Sequence, residues 1–195
     1  MRHYLLEHFQ IERELPTMLN NIGMVAGDTS RTRIYLQALA QNELLPNYVL
    51  LMEQAEESIL PGQIDQSKLN NVNDILDEES FNLSYPTKTL LEDHNVEYDI
   101  IKSHDINDSL VIDGLRSRNE SIFIYSGFGG ALLRKEVLSI NKKFLHVHGG
   151  YLPDYKGSTT NYYSLINDES MGASSIFLNE QIDSGQILYR KKFSA

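Results

Sequence analysis

The 195-residue chain contains no cysteine. That absence excludes disulfides, thiolate metal sites and a thiol nucleophile, and it is compatible with a reducing compartment. Positive charge is also short: 17 Lys and Arg stand against 27 Asp and Glu, for a formal net charge of −10 and a pI near 5.0. A nucleic-acid footprint needs clustered cations to neutralise phosphates, so no nucleic-acid partner is expected. Long apolar runs are missing as well. None is long enough to cross a bilayer, and residues 1–20, with Glu7, Glu12, Arg13 and Glu14, lack the apolar core of a signal peptide. A cytoplasmic protein with no membrane partner is expected.

What is present suits one globular domain with a sizeable core: 41% of residues are hydrophobic and 23% charged. Residues 1–20 read as an N-terminal extension, weakly helical ahead of Pro16, with His3 and His8 at its surface; residues 21–195 form the domain. The glycine-broken apolar run Asn21-Ile22-Gly23-Met24-Val25-Ala26-Gly27 reads as a first strand. Asp28, Thr29 and Ser30 offer helix caps, residues 32–42 carry apolar positions at helical spacing, and residues 48–52 make a second strand. Strand, helix, strand in this order predicts a parallel pair with a right-handed crossover. Residues 53–79 are polar and read as an inserted loop and short helix; their Asn and Asp residues do not fall at calcium-loop spacing.

Further on, residues 86–94 and 108–118 read as helices, 98–102 as extended and 121–125 as a buried strand. Ser126-Gly127-Phe128-Gly129-Gly130-Ala131 follows, then a helix expected over 132–138. The alternation predicts an α/β fold: a mainly parallel open sheet, Rossmann-like and three-layered, with its site beyond the carboxyl ends of the strands.

The chemistry concentrates in residues 144–186. Phe144-Leu145-His146-Val147-His148 is an extended run, so its two imidazoles share a face. Gly149-Gly150-Tyr151-Leu152-Pro153-Asp154-Tyr155-Lys156-Gly157 then turns away, and a helix capped by Ser158 or Thr160 runs to about Ile166, with Tyr162 or Tyr163 in the core. Asp183 lies in Asn179-Glu180-Gln181-Ile182-Asp183-Ser184-Gly185-Gln186, between two apolar runs read as strands. A carboxylate there can orient a histidine and raise its basicity; Asp, Ser and Gly are equally what a plain turn prefers.

These two pieces together resemble the folate-dependent formyltransferase family, whose motif runs N-x-H-P-S-x-L-P-x-x-x-G with a later D-x-G. In wording the chain is closest to the sugar N-formyltransferases. Here the matching residues run from His146 to Gly157 and from Asp183 to Gly185, with His146 where the family has asparagine and Gly149 and Gly150 in place of Pro and Ser. The resemblance implies transfer of a formyl group from 10-formyltetrahydrofolate to a primary amine, that of a nucleotide-linked amino sugar. It gives His148 and Asp183 the proton transfer, and an imidazole N–H of His146 can donate to the formyl oxygen. Phe128, Gly129, Gly130, Ala131 and Leu132, with Glu180 and Ile182, are the expected folate wall.

Gly27, Thr29, Ser30 and Arg31, with Tyr151 and Lys156, are the expected acceptor contacts. The first four stand where a strand feeds a helix and suit a phosphate, with Arg33 as added charge and Asp28 opposing; helix capping accounts for the same residues. Family members carry a further C-terminal region, so a sequence ending at Ala195 is expected to be minimal or trimmed. A homo-oligomer is possible. Two other readings stand beside this one: His146, His148 and Asp183 as a two-histidine, one-carboxylate metal site, or a binding module without catalysis.

Overall fold

The computed structural model describes residues 18–53 and 81–194. Most of the expected N-terminal extension and of the polar insertion, with His3 and His8, lies outside the described residues.

Strand β1 (Leu19–Gly27) is buried on both faces from Gly23 onward, as befits a near-continuous apolar run at the centre of a parallel sheet. It feeds helix α1 (Ser30–Gln41), whose N-cap Thr29 accepts the Thr32 N–H at 3.2 Å. Strand β2 (Pro46–Glu53), helix α2 (Thr87–Asp93), strand β3 (Glu97–Lys102) and helix α3 (Ser109–Arg116) follow, the last capped by Asp108. Then come β4 (Ile122–Ser126), a single turn α4 (Lys135–Leu138), β5 (Lys143–His148), α5 (Thr160–Asp168), β6 (Ser170–Phe177) and β7 (Gln186–Ser194).

The sheet runs β3-β2-β1-β4-β5-β6-β7. Strands β3 to β5 are parallel, β6 reverses against β5, and β7 reverses again to form the outer edge. Because side chains alternate across a strand, β1 sends Val25 to one core and Met24 and Ala26 to another. The first core packs Tyr48, Phe123, Tyr125 and Phe144 against Val111, Ile112 and Leu115 of α3 and Val137 of α4. The second packs Val49 and Ile124 against Leu36 of α1 and Leu90 and Leu91 of α2. Two cores on two faces make the three-layer α/β architecture expected from the sequence. Among the described residues no helix is long and apolar enough to cross a membrane.

Two local expectations are corrected. The helix expected over 132–138 is confined to Lys135–Leu138. Asn107 accepts the Arg134 N–H at 2.7 Å and donates to the Leu132 carbonyl at 3.0 Å, and so ties that stretch down as extended chain. Neither Tyr162 nor Tyr163 enters the core; they are 71% and 60% exposed. Helix α5 instead buries the small polar residues Thr160 and Ser164.

Candidate active site

Strand β5 carries Phe144, His146 and His148 on one face. Phe144 belongs to the first core, which fixes the direction in which the two rings point. Nδ1 of His146 lies 3.2 Å from the Tyr125 carbonyl, and a carbonyl only accepts, so Nδ1 carries the hydrogen. Burial is the main cause holding this ring's pKa below the ordinary 6.5; the Tyr125 carbonyl opposes it and the charge of Arg31 adds to it.

His148 is held more tightly. It is 5% exposed, its Nε2 donates to the Tyr155 carbonyl at 2.8 Å, and its Nδ1 faces Oδ2 of Asp183 at 3.5 Å. With Nε2–H committed, Nδ1 and the carboxylate are two acceptor atoms face to face, an arrangement that a shared proton turns into a hydrogen bond.

Asp183 arrives by an indirect route. In the β5–β6 register His148 pairs with Ser174 and Leu145 with Phe177, so β6 ends at the level of Leu145. At about 3.3 Å per residue the 178–185 loop begins roughly 10 Å below His148 and climbs back over the sheet face. Its start is pinned where the Leu178 N–H reaches the Phe144 carbonyl at 2.8 Å. At its crest Asp183 takes a left-handed conformation, φ 46°, and accepts the Gly157 N–H at 2.7 Å. Lys156 Nζ meets Ser184 Oγ at 2.9 Å, so the 149–157 and 178–185 loops latch each other. A Cβ on Gly185 would stand 1.6 Å from the Phe177 carbonyl oxygen; only glycine lets the loop close against β6.

A cavity of about 720 Å³ opens beside the 178–185 loop. Phe128, Gly129, Gly130, Ala131, Leu132 and Glu180 line it, joined by His104, Asp105 and Asn107 from the segment after β3. Ile182 is outside its wall and 53% exposed. His146, His148 and Asp183 do not line it either. One wall follows β4, whose Tyr125 carbonyl binds His146, and Glu180 belongs to the Asp183 loop.

The expected acceptor residues divide between two places. In the β1–α1 loop the Thr29 hydroxyl is taken up in capping, and the Gly27 carbonyl accepts Thr32 Oγ1 at 2.7 Å. Ser30 opens α1. Asp28 is turned toward α2 by Arg33 at 3.1 and 3.2 Å and by the Thr87 hydroxyl at 2.6 Å, which also occupies Arg33. Arg31 leans the other way, donating to the Gly127 carbonyl at 2.5 Å, with its Nε buried and without a partner. Tyr151 is flanked by Arg190 at 4.7 Å and Lys192 at 4.8 Å, and Lys156 is exposed and bound to Ser184.

Sequence reasoning passed over three contributors: Tyr125, Tyr155 and Gly157. All act on the site through backbone groups, which no residue type announces. Tyr125 adds a buried hydroxyl without a partner, its pKa pushed up to about 12 by burial. The metal arrangement has no counterpart, since among the described residues no three His, Asp or Glu side chains are grouped to hold an ion.

Residues 24–195 match the formyl transferase family. The chain belongs to that family. Among curated relatives, a methionyl-tRNA formyltransferase of Finegoldia magna is 36% identical over 92 residues, 46% of this chain and 29% of that protein. One from a Sulfurovum species is 27% identical over 109 residues, 55% of this chain and 34% of that one. The chain thus spans about a third of the length of these relatives. Among solved structures, phosphoribosylglycinamide formyltransferase of Streptococcus pneumoniae superposes with a TM-score of 0.59 at 10% identity, over 89% of this chain and 82% of that one. A sugar N-formyltransferase of a Shewanella species gives 0.53 at 14% identity, over 89% and 57%. At these identities the structural likenesses show the fold.

Proposed function

We propose that this formyl transferase family member moves a formyl group from 10-formyltetrahydrofolate to the primary amine of a nucleotide-linked amino sugar. The observation that carries the proposal is the His148–Asp183 pair, held at 3.5 Å beside a cavity walled by the 128–134 segment and Glu180. That cavity lies within the few hundred to thousand Å³ of ordinary ligand sites, and its buried Phe128 with two exposed glycines suits a flat ring. Phe128, the backbone of Gly129 to Leu132 and Glu180 would hold the donor there. The folate supplies the formyl carbon.

The chain's own residues do the rest. The Tyr155 carbonyl and the Asp183 carboxylate grip the His148 ring from opposite sides. Nδ1 is therefore the ring nitrogen left for proton exchange, with the Asp183 carboxylate facing it. Arg31, with an unpartnered Nε, is the cation available to an acceptor phosphate on the β1–α1 side.

A small acceptor accords with a net charge of −10, which disfavours a long polyanion. The methionyl amine of an aminoacyl-tRNA is the second reading, favoured by the Finegoldia magna relative. The deciding experiment is an equilibrium binding screen of reduced folates and nucleotide-linked amino sugars, followed by a formyl-release assay with each hit and with charged initiator tRNA. Folate binding with transfer to a sugar amine is the expected result. Transfer to tRNA alone would replace the acceptor, and no folate binding would remove the proposal.

A further inference from the structure

We infer that the amine proton is accepted by Nε2 of His146. This assignment rests on the formyl-transfer reading and goes beyond it. Donation from His146 to the formyl oxygen requires an N–H free of the protein. The geometry leaves none on the neutral ring, because the one hydrogen sits on Nδ1 and points into the Tyr125 carbonyl at 3.2 Å. What remains is a lone pair on Nε2, which has no hydrogen-bond partner among the described residues, on a side chain only partly buried.

Three further observations agree. His148 cannot offer the same service through Nε2, whose hydrogen is spent on Tyr155, and its Nδ1 is turned to Asp183. Tyr125 Oη and Arg31 Nε are buried and unpartnered, and both groups adjoin His146: the Tyr125 ring centroid is 6.0 Å away and the Arg31 charge acts on the imidazole. Unpaired buried donors beside a free lone pair mark a place where a polar ligand completes the hydrogen bonding. The surroundings also keep the ring neutral. Burial and Arg31 from the start of α1 favour the uncharged form, His148 on the same strand adds to this, and Asp183 and the Tyr125 carbonyl oppose it. A base that is neutral at pH 7 is ready to receive a proton.

The proton inventory then closes. As the acceptor nitrogen bonds to the formyl carbon, one of its N–H bonds breaks and the proton passes to His146 Nε2. The bond from the formyl carbon to the folate nitrogen breaks with its electron pair on that nitrogen, which takes up the proton carried by His146 Nε2.

The test has two arms. In the first, ring-nitrogen NMR of histidine-labelled full chain should show His146 at pH 7 as the neutral Nδ1–H form, titrating below 6.5. An Nε2–H or doubly protonated ring would overturn the assignment. In the second, His146→Asn keeps a donor for the Tyr125 carbonyl but has no basic nitrogen. Formyl transfer from 10-formyltetrahydrofolate to a nucleotide-linked amino sugar should fall about 100-fold or more at pH 7, and the acid limb of kcat/KM should disappear. A folded variant matching the wild type in rate and pH profile would overturn the base role alone. A wild type silent toward every amine would instead overturn the formyl-transfer reading, whatever the spectrum shows.

Discussion

Oδ2 of Asp183 faces His148 Nδ1 at 3.5 Å while accepting the backbone N–H of Gly157 at 2.7 Å. One oxygen thus serves both the contact with His148 and the latch between two loops. Asp183→Asn keeps the shape and an acceptor for Gly157 but removes the charge. Turnover is expected to fall by about 10² to 10⁴ with reduced-folate affinity nearly unchanged, as measured by steady-state kinetics beside calorimetric binding. Asp183→Ala should in addition lower the melting temperature, because the Gly157 N–H loses its partner.

Gly150 is the tightest point around the His148 imidazole. A Cβ there would stand 2.6 Å from the Tyr155 carbonyl oxygen and 2.7 Å from His148 Nε2, the two atoms of the bond that orients the ring. Gly150→Ala is expected to destabilise the fold by about 1–3 kcal/mol and to displace His148. Urea unfolding and turnover should fall together; an alanine variant as active as the parent would show that the ring's position is not set here.

Thr32 joins the ends of two strands. Its fully buried hydroxyl reaches the Gly27 carbonyl at 2.7 Å and Ser126 Oγ at 2.9 Å, tying β1 to β4 beneath the site. Thr32→Val keeps the shape and strands polar atoms away from water, at a cost of about 1–3 kcal/mol. Equilibrium denaturation measures it directly.

Acid should act through Glu120, just ahead of β4. Burial by itself would raise its pKa, but the Arg118 guanidinium at 3.2 Å, a backbone N–H and Asn47 at 2.8 Å more than offset this and hold it below the ordinary 4.5. A depressed folded-state value means the contribution is complete above the unfolded value of about 4.5 and disappears as pH falls through the folded one. Glu120→Gln is therefore expected to flatten the loss of stability below pH 4.5 relative to the parent, followed by thermal melts across that window.

Periodicity made much of this legible in advance. The strand at Gly23 to Gly27 and the shared face of His146 and His148 follow from local spacing alone, and the helix cap at Thr29 follows from residue type. The rest depends on contacts between distant segments. Asn107 reaches across to hold residues 132–134 extended, and the Tyr125 carbonyl, invisible as a residue type, decides which nitrogen of His146 is free. That Asp183 comes back from the lower end of β6 depends on register, which spacing between motifs does not encode. The doubt over a carboxylate in the β1–α1 loop was resolved by Arg33 and Thr87, which draw Asp28 aside.

Among the described residues strand β7 ends the sheet, with every residue from Gln186 to Ser194 exposed and one ladder of its backbone groups facing no further strand. At its middle stand Arg190, Lys191 and Lys192 in succession. A second copy adding head-to-tail about Lys191 would set three cations against three, and like charges directly opposite repel. Pairing in that register is thus disfavoured, whereas a strand bringing acidic side chains opposite these three would be favoured.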